Sequence, residues 1–264
     1  LNDFVNNATM YSSEYEREKY VNDYIISNCV YDDEAAYNNK TQGNVSTAYG
    51  VLVDGKAICE GYARAFQLLC NKLGIECVSI AGMTGDVGHE WNCAKIDGNW
   101  YQVDVTWNDS QDDFSNYYYF NLTDEQMYSS HRADDLFDEI EPDNYNNDEN
   151  LIGNLYVPEC NSTEYNYYNQ TAPVLYAFDE ENDNTISNAL ANSAVNGDNY
   201  FNIIVDDSLD FEDAYSTLVQ DGYVVNYIES ANNMLWGEVE LDTSSYAYKN
   251  DTLRVITIVL NYIN

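Results

Sequence analysis

The chain has 264 residues, of which 45% are hydrophobic and 14% aromatic, and its 46 Asp and Glu against 10 Lys and Arg give a formal net charge of −36. This apolar content is enough to build a core, which excludes a globally disordered chain, and the length predicts two domains. The negative charge repels nucleic-acid phosphates and anionic lipids, so neither is expected as a partner. No apolar run reaches the roughly 18 residues of a membrane helix, so the sequence predicts no membrane span.

The start of the chain and its composition favour a location outside the cell. The sequence begins at Leu1 without a Met or an apolar leader, which predicts a piece excised from a longer product. Few positive charges and many Tyr, Asn and Asp residues favour a secreted or cell-surface bacterial domain. The six cysteines could form up to three disulfides there, although a catalytic thiol would leave at least one of the others unpaired. Cys70, Cys77 and Cys93 lie among apolar residues, which is typical of buried small hydrophobes.

Two helices are predicted in the first part of the chain. Ser13 and Glu16 have the spacing of a capping box, and the apolar residues that follow recur at helical spacing, so a helix is expected over 13–29. A second helix is expected between Gly55 and Gly74, with its apolar residues on one face. Its first turn carries Cys59.

β-rich segments come next. Asp97-Gly98 between two such segments is a strong signal for a two-residue hairpin turn. Residues 133–150 are acidic and lack apolar periodicity, which is typical of a solvated loop. The predicted strands are 75–81, 89–96, 99–107 and 117–122.

A new β-α-β pattern begins near Pro173, so the sequence predicts a first domain over 1–171 and a small α+β accessory domain over 172–264. The second domain contains no His and no Cys, and we therefore expect no catalysis from it. Its role stays open. The predicted strands are 173–178, 200–205, 223–228, 235–241 and 253–263, and the predicted helices are 185–195 and 209–219.

The candidate chemistry depends on two rare residue types. The chain has only two histidines, so an imidazole-dependent reaction must use His89 or His131. Cys59 lies where a helix is predicted to begin, and the free N–H groups and positive dipole of that end favour a thiolate. Taken alone, Cys59 is better explained as a buried packing residue.

The predicted hairpin brings two further candidates together. If Asp97-Gly98 is a two-residue turn, Ile96 pairs with Asn99, and continued pairing places His89 and Asp104 on one face as diagonal neighbours. A hydrogen bond between them would orient the imidazole and leave its other nitrogen for a thiol. Each residue alone has an ordinary structural explanation, but the combination with Cys59 favours catalysis. An odd-length loop without a bulge would separate the pair.

Three segments resemble the transglutaminase-like superfamily in content and order. They are Cys59-Glu60-Gly61-Tyr62-Ala63, Gly88-His89-Glu90-Trp91-Asn92 and Asp104-Val105-Thr106-Trp107. The resemblance covers roughly residues 14 to 130, and 117–120 with His131 resemble the tail of bacterial members. It implies a papain-like α+β fold and catalytic Cys59, His89 and Asp104. The last domain lies outside it.

The resemblance implies a thiol-dependent acyl-transfer enzyme, either a cysteine peptidase or a transglutaminase-like acyltransferase, that needs no cofactor or metal. Cys59 would attack a peptide or glutamine carboxamide carbonyl and form a thioester, which water or an amine releases. The Cys59 N–H and Tyr49 are the candidates for oxyanion stabilisation, and Trp91 is the candidate cleft residue because it shares the face of His89. His131 is expected to be structural.

The acidic surface favours a cationic peptide or protein substrate, but the sequence does not decide between hydrolysis and amine transfer, nor the oligomeric state. The alternative is a catalytically idle surface binding module that retains the fold. A calcium-dependent structural role is a weaker alternative, since the acidic cluster at 206–210 lacks the spacing and glycine of an EF-hand loop.

Overall fold

The computed structural model describes residues 2–38, 43–110, 112–133, 157–237 and 239–263. The chain divides into two compact units, Leu1–Tyr165 and Asn166–Asn264. Both contain helices and strands, which confirms the α+β class. The predicted boundary after residue 171 differs from this division, because helix α7 (Tyr167–Thr171) packs against a strand of the second unit. The predicted loop at 133–150 lies outside the described residues from position 134 onward.

The helices of the first unit begin at local sequence signals. α2 starts after Ser13, whose hydroxyl accepts the Glu16 N–H while Glu16 accepts the Ser13 N–H, so the predicted capping box is confirmed. α4 starts at Cys59, four residues later than predicted, because Gly55 has a φ of 68° and a short strand follows it. The helices are α1 Asn2–Ala8, α2 Glu14–Asn28, α3 Asp33–Tyr37, α4 Cys59–Lys72, α5 Val105–Asn108 and α6 Asp124–Met127, with a π-helical turn at Gly50–Asp54 and a 3₁₀ turn at Asp113–Ser115.

A four-stranded antiparallel sheet forms the other half of the first unit, in the order β5-β4-β3-β6. A separate parallel pair joins β1 to β2. The strands are β1 Val30–Tyr31, β2 Lys56–Ala57, β3 Glu76–Thr84, β4 Val87–Ile96, β5 Asn99–Val103 and β6 Arg132–Ala133.

The predicted hairpin register between β4 and β5 is confirmed. Ile96 pairs with Asn99, and Asp97 and Gly98 have φ angles of 47° and 93°, the backbone of a two-residue turn with left-handed residues. The predicted strand over 99–107 is wrong beyond Val103, because Asp104 leaves the ladder and caps α5.

The strand predicted over 117–122 is also wrong. Most of this segment forms turns, and only its last residue, Leu122, makes a single bridge to Gln102. Asn121 has a φ of 59°, which interrupts an extended strand. Of the four aromatic residues at 117–120, Phe120 is buried and the three tyrosines are half-buried, in turns and bends and not in a paired strand.

The core of the first unit lies between α4 and the sheet, with α2 packed on α4. Tyr62, Phe66 and Leu69 on α4 are fully buried, as are Val21 and Ile25 on α2. The helix spacing of these residues places them on one face, which is why α4 covers the sheet and presents its first residue at one edge of the core.

Gly61 lets α4 approach the preceding chain closely. A Cβ at this position would lie 2.5 Å from the Val45 carbonyl oxygen and 2.8 Å from the Ala57 Cβ. Replacing Gly61 with Ala is expected to lower the free energy of unfolding by about 1 to 3 kcal/mol, measured by denaturant titration. Gly88→Ala is the matched control, because no heavy atom lies within 4 Å of its Cβ position. Equal losses in the two variants would contradict the explanation.

The second unit is built around the sheet β7-β8-β10-β9, in which β7 and β8 are parallel and the other pairs antiparallel. Its strands are β7 Val174–Leu175, β8 Tyr200–Val205, β9 Ala247–Asn250 and β10 Val255–Val259. Its helices are α7, α8 Glu180–Asn196, α9 Phe211–Tyr215, which continues into a π-helical turn at Ser216–Gln220, and α10 Val224–Leu235.

Two predicted strands of the second unit, 223–228 and 235–241, are wrong. Val224, Tyr227, Ile228 and Leu235 are buried on one face of α10, so burial of a helical face outweighs the strand preference of their β-branched and aromatic side chains. The predicted strand 200–205 is confirmed as β8. The predicted helix 185–195 lies within α8, and the predicted helix 209–219 begins two residues before α9, which continues into its π-helical turn. The strands predicted over 173–178 and 253–263 shorten to β7 and β10, and β9 was not predicted. No described helix is long and apolar enough to cross a membrane.

Candidate active site

Cys59 is the first residue of α4 and is 9% exposed. The residue before it, Ile58, makes no side-chain cap, so the N–H groups of the first turn are not capped from that side chain. The Tyr31 hydroxyl interacts with both the thiol and the backbone N–H of Cys59. The thiol therefore lies at a helix start, next to a phenol.

Asp104 orients His89. The His89 Nε2 lies 2.6 Å from Asp104 Oδ2, and Asp104 is fully buried. The other carboxylate oxygen, Oδ1, accepts the backbone N–H groups of Thr106 at 2.9 Å and Trp107 at 3.2 Å. Asp104 thus caps α5 and holds the imidazole at the same time, which keeps its carboxylate in one orientation.

The charges of the site support an imidazolium. Because Nε2 of His89 is bonded to Asp104, Nδ1 is the nitrogen left for the Cys59 thiol, which interacts with His89. Burial lowers the pKa of His89, but hydrogen bonds and charge from Asp104 and Cys59 raise it to about 10. Burial raises the pKa of Asp104, but hydrogen bonds and charge from His131 and His89 lower it to about 2. At neutral pH, a carboxylate therefore faces an imidazolium, and an imidazolium favours a thiolate beside it.

His131 joins this cluster, although the sequence predicted only a structural role for it. Its Nε2 lies 3.0 Å from the same Asp104 Oδ2, and its Nδ1 lies 2.8 Å from Ser130 Oγ. It is 3% exposed, and its ring centroid lies 4.6 Å from that of Trp107. The sequence signals for His131 are that it is the second of two histidines and that it resembles a residue in the tail of bacterial family members; neither indicates the contact with Asp104.

Among the described residues, His89, Asp104 and His131 also have donor atoms within 4.8 Å of one another, the spacing of a candidate metal site. The 2.6 Å and 3.0 Å contacts between nitrogen and oxygen are hydrogen-bond distances, and all three residues are buried. Hydrogen bonding accounts for the arrangement without an ion.

The two tryptophans beside His89 differ in exposure. Trp91 lies next to His89, with ring centroids 6.1 Å apart, but it is 1% exposed and its indole N–H donates to Gln102 Oε1 at 2.6 Å. Trp91 therefore supports His89 from inside the fold and does not line an open cleft. The prediction that Trp91 is a cleft residue is corrected accordingly. Trp107, with a centroid 6.0 Å from that of His89, is 36% exposed and is the aromatic residue beside His89 that solvent reaches.

Tyr49 lies elsewhere in the first unit. It is 53% exposed and lines an apolar cavity of about 320 Å³ with Phe4, Tyr24 and Leu68. These residues come from α1, α2 and the middle of α4, and not from the helix start that carries Cys59.

The aromatic residue at Cys59 is Tyr31, which the sequence analysis missed. The parallel pairing of β1 with β2 places Tyr31 opposite Ala57, two residues before Cys59. This contact joins two short strands that are distant in the chain, so no local sequence signal indicates it.

The six cysteines are all free and buried. Cys93 Sγ and Cys160 Sγ approach to 3.8 Å, and the thiols of Cys70 and Cys77 interact with each other. The thiol of Cys59 interacts with His89, whereas these four thiols contact one another in pairs.

Comparison with known proteins identifies relatives for the first unit. Residues 3–105 match the family model described as Transglutaminase-like superfamily, a match that contains Cys59, His89 and Asp104. Kyphoscoliosis peptidase of Mus musculus is 30% identical over 146 residues, and that of Homo sapiens is 27% identical over 146 residues. Each alignment covers 51% of this chain and 22% of the relative, so the chain spans about a fifth of the length of these relatives. A solved structure described as a TGase is 22% identical, covers 42% of this chain and 31% of its own, and has a TM-score of 0.37.

Proposed function

Because residues 3–105 match the family model described as Transglutaminase-like superfamily, we propose that this chain is a thiol-dependent acyl-transfer enzyme that acts on peptide or glutamine carboxamide bonds. In this proposal Cys59 is the nucleophile, His89 the acid and base, and Asp104 the residue that orients His89. The observation that carries it is the 2.6 Å contact between His89 and Asp104, together with the hydrogen bond between the Cys59 thiol and the His89 side chain.

The reaction would proceed through a thioester. The Cys59 thiolate attacks the carbonyl carbon, a C–S bond forms, and the carbonyl oxygen becomes an oxyanion. His89 then gives the proton on Nδ1 to the leaving amine as the C–N bond breaks. Water or a second amine then attacks the thioester carbonyl while His89 takes its proton, and the C–S bond breaks, which releases the acyl product and regenerates the Cys59 thiolate. Water yields hydrolysis and an amine yields transfer, so one site serves both outcomes.

The oxyanion would be stabilised by the hydroxyl of Tyr31, which takes the role first predicted for Tyr49, and by the backbone N–H of Cys59, which would exchange its present partner, the Tyr31 hydroxyl, for the substrate oxygen. Burial and the charge of Cys59 raise the pKa of Tyr31 to about 12, so its hydroxyl keeps its proton at neutral pH and can donate a hydrogen bond. A preorganised donor of this kind acts where negative charge develops in the transition state.

Acidic groups near the site favour a positively charged substrate. Arg64 is a positively charged group beside Glu90, 3.9 Å away, but the negative charges of Asp33 and Glu60 act on Tyr31 and Glu90 respectively. Together with the net charge of −36, they favour cationic peptides or lysine amines. Salt would weaken this preference, because the Debye length is about 8 Å at physiological ionic strength.

The test is incubation of the full chain with a peptide library containing Gln and Lys residues and a labelled primary amine, followed by mass spectrometry. Cleaved peptides support a peptidase, and incorporated amine or deamidated glutamine supports a transglutaminase-like activity. The Cys59→Ala variant is the control and should give none of these products. Identical spectra for the two proteins would overturn the proposal and favour the idle binding module.

A further inference from the structure

The Asp104 carboxylate accepts four hydrogen bonds, and the proposed reaction uses only one of them. Two backbone N–H groups, those of Thr106 and Trp107, donate to Oδ1. The imidazoles of His89 and His131 both face Oδ2, at 2.6 Å and 3.0 Å. Two imidazoles therefore share one carboxylate oxygen.

The neighbours of His131 favour a ring that donates to Asp104 through Nε2. Ser130 Oγ lies 2.8 Å from Nδ1; its hydroxyl also lies 3.4 Å from Met127 O and interacts with the Tyr119 hydroxyl. If the Ser130 hydroxyl donates to Nδ1, the ring hydrogen must lie on Nε2, where it points at Asp104. Both ring nitrogens are then satisfied, as a side chain that is 3% exposed requires.

An N–H donor at Oδ2 weakens the interaction between Asp104 and His89. It stabilises the carboxylate as an anion and makes it less basic. The positive end of its dipole also lies within 4.8 Å of His89 Nε2, where it disfavours a positive charge on His89. Both effects act in the same direction: they make the His89 proton easier to release.

We propose that His131 is a positioning residue that acts through Asp104 and limits how strongly Asp104 holds the proton on His89. The inference rests on the proposed function, since a general acid that binds its proton too tightly cannot give it to a leaving amine. Without His131, Asp104 would hold the His89 imidazolium more firmly.

Other titratable groups among the described residues lie around the two rings. Cys59 and Glu90 interact with His89. Tyr119 packs against the His131 ring, with centroids 5.5 Å apart, and its hydroxyl bonds to Ser130. Trp91 and Trp107 complete the surroundings and do not titrate. Of these groups, Cys59 is removed in the experiment below, and the others are unchanged.

The test is an NMR titration of the full chain labelled at histidine, in a Cys59→Ala background so that the thiol does not contribute. The chain has two histidines, so each His131 variant leaves a single imidazole signal, that of His89. His131→Phe keeps a ring of similar shape and removes the N–H, and it is expected to raise the pKa of His89 by about one unit. His131→Gln keeps an N–H donor and is expected to restore the value of the Cys59→Ala protein.

A purely structural role for His131 predicts a different result. If His131 only held Asp104 in place, its loss would release the carboxylate and lower the pKa of His89 toward the ordinary value of about 6.5. A lowered or unchanged pKa in the His131→Phe protein would therefore overturn the inference, as would failure of His131→Gln to restore it. Tyr101→Phe, which removes a partly buried 2.9 Å hydrogen bond to Ser162, controls for loss of stability alone and should leave the pKa of His89 unchanged.

The titration requires no turnover, so it separates this inference from the proposed function. A raised pKa with no product from any peptide or amine would support the role of His131 and count against the enzyme. If the wild-type chain gives products but the pKa of His89 is unchanged in the His131→Phe protein, the enzyme is supported and the role of His131 is overturned.

Discussion

Replacement of Cys59 with Ser is expected to reduce kcat/KM by about 10³-fold or more, measured as peptide cleavage or amine incorporation with a peptide identified in the library experiment. The hydroxyl of Ser is a far weaker acid than a thiol, so the imidazolium of His89 cannot maintain it as an anion. The exchange of one sulfur atom for oxygen leaves the size and burial of the side chain nearly unchanged, so the fold should persist.

Cys77→Ser provides the matched control for this prediction. Cys77 is a buried thiol in β3 that bonds to the Val78 carbonyl and has no part in the proposed reaction. The control protein should retain the wild-type rate if it folds. Equal activity in the Cys59→Ser protein and the wild type would remove Cys59 as the nucleophile, and with it the thioester.

Replacement of Asp104 with Asn is expected to lower kcat/KM by about 10³- to 10⁴-fold. The amide of Asn carries no charge, and its NH₂ group would face the N–H donors of His89 and His131 or the backbone N–H groups of α5. Either orientation places donors against donors. The imidazolium of His89 loses its counter-charge, and its orientation is no longer held.

The same variant is expected to show a pH-dependent loss of stability. Because the pKa of Asp104 is about 2 in the folded chain and 3.8 for an ordinary carboxyl, its ionisation stabilises the fold above pH 3.8, and this contribution is lost as the pH falls through 2. Near pH 7 the Asn variant should be less stable by roughly 2 to 3 kcal/mol. Denaturant titrations at several pH values would measure the difference, which should shrink on acidification.

Asp112→Asn is the control for this second prediction. Asp112 also precedes a helical turn, but its side chain makes no cap bond. Its replacement should change stability little at any pH. A gap between wild type and the Asp104 variant that stays constant down to pH 2 would contradict the pKa of about 2.

The site residues differ in how far the sequence could predict them. Cys59 was placed by a helix-start pattern, and the approach of His89 to Asp104 by the alternation of side chains across a two-residue hairpin, which is a local constraint. The predicted contact between His89 and Asp104 is present although Asp104 is a helix cap and not a strand residue, because the cap directly follows the paired strand. Tyr31 and His131 escaped prediction since their contacts join segments far apart in the chain.

Local interactions made the sequence sufficient for much of the fold. A capping box starts α2, a left-handed pair closes the hairpin of β4 and β5, and apolar spacing defines α4. The predictions of secondary structure were wrong where the local preference of the side chains and the burial of an element's face favour different structures. In α10 the β-branched residues favour a strand, and the helical face that packs on the core overrides them.

By itself, the sequence determined where the helix start with its thiol lies and which imidazole and carboxylate can meet, because turn geometry and side-chain alternation depend only on neighbours in the chain. The tertiary structure alone decided what surrounds them: a phenol delivered by a parallel strand pair, a second imidazole on the same carboxylate oxygen, and a tryptophan turned inward. The physical reason is that these contacts arise from packing between elements, and the energy of packing has no signature in any short stretch of residues.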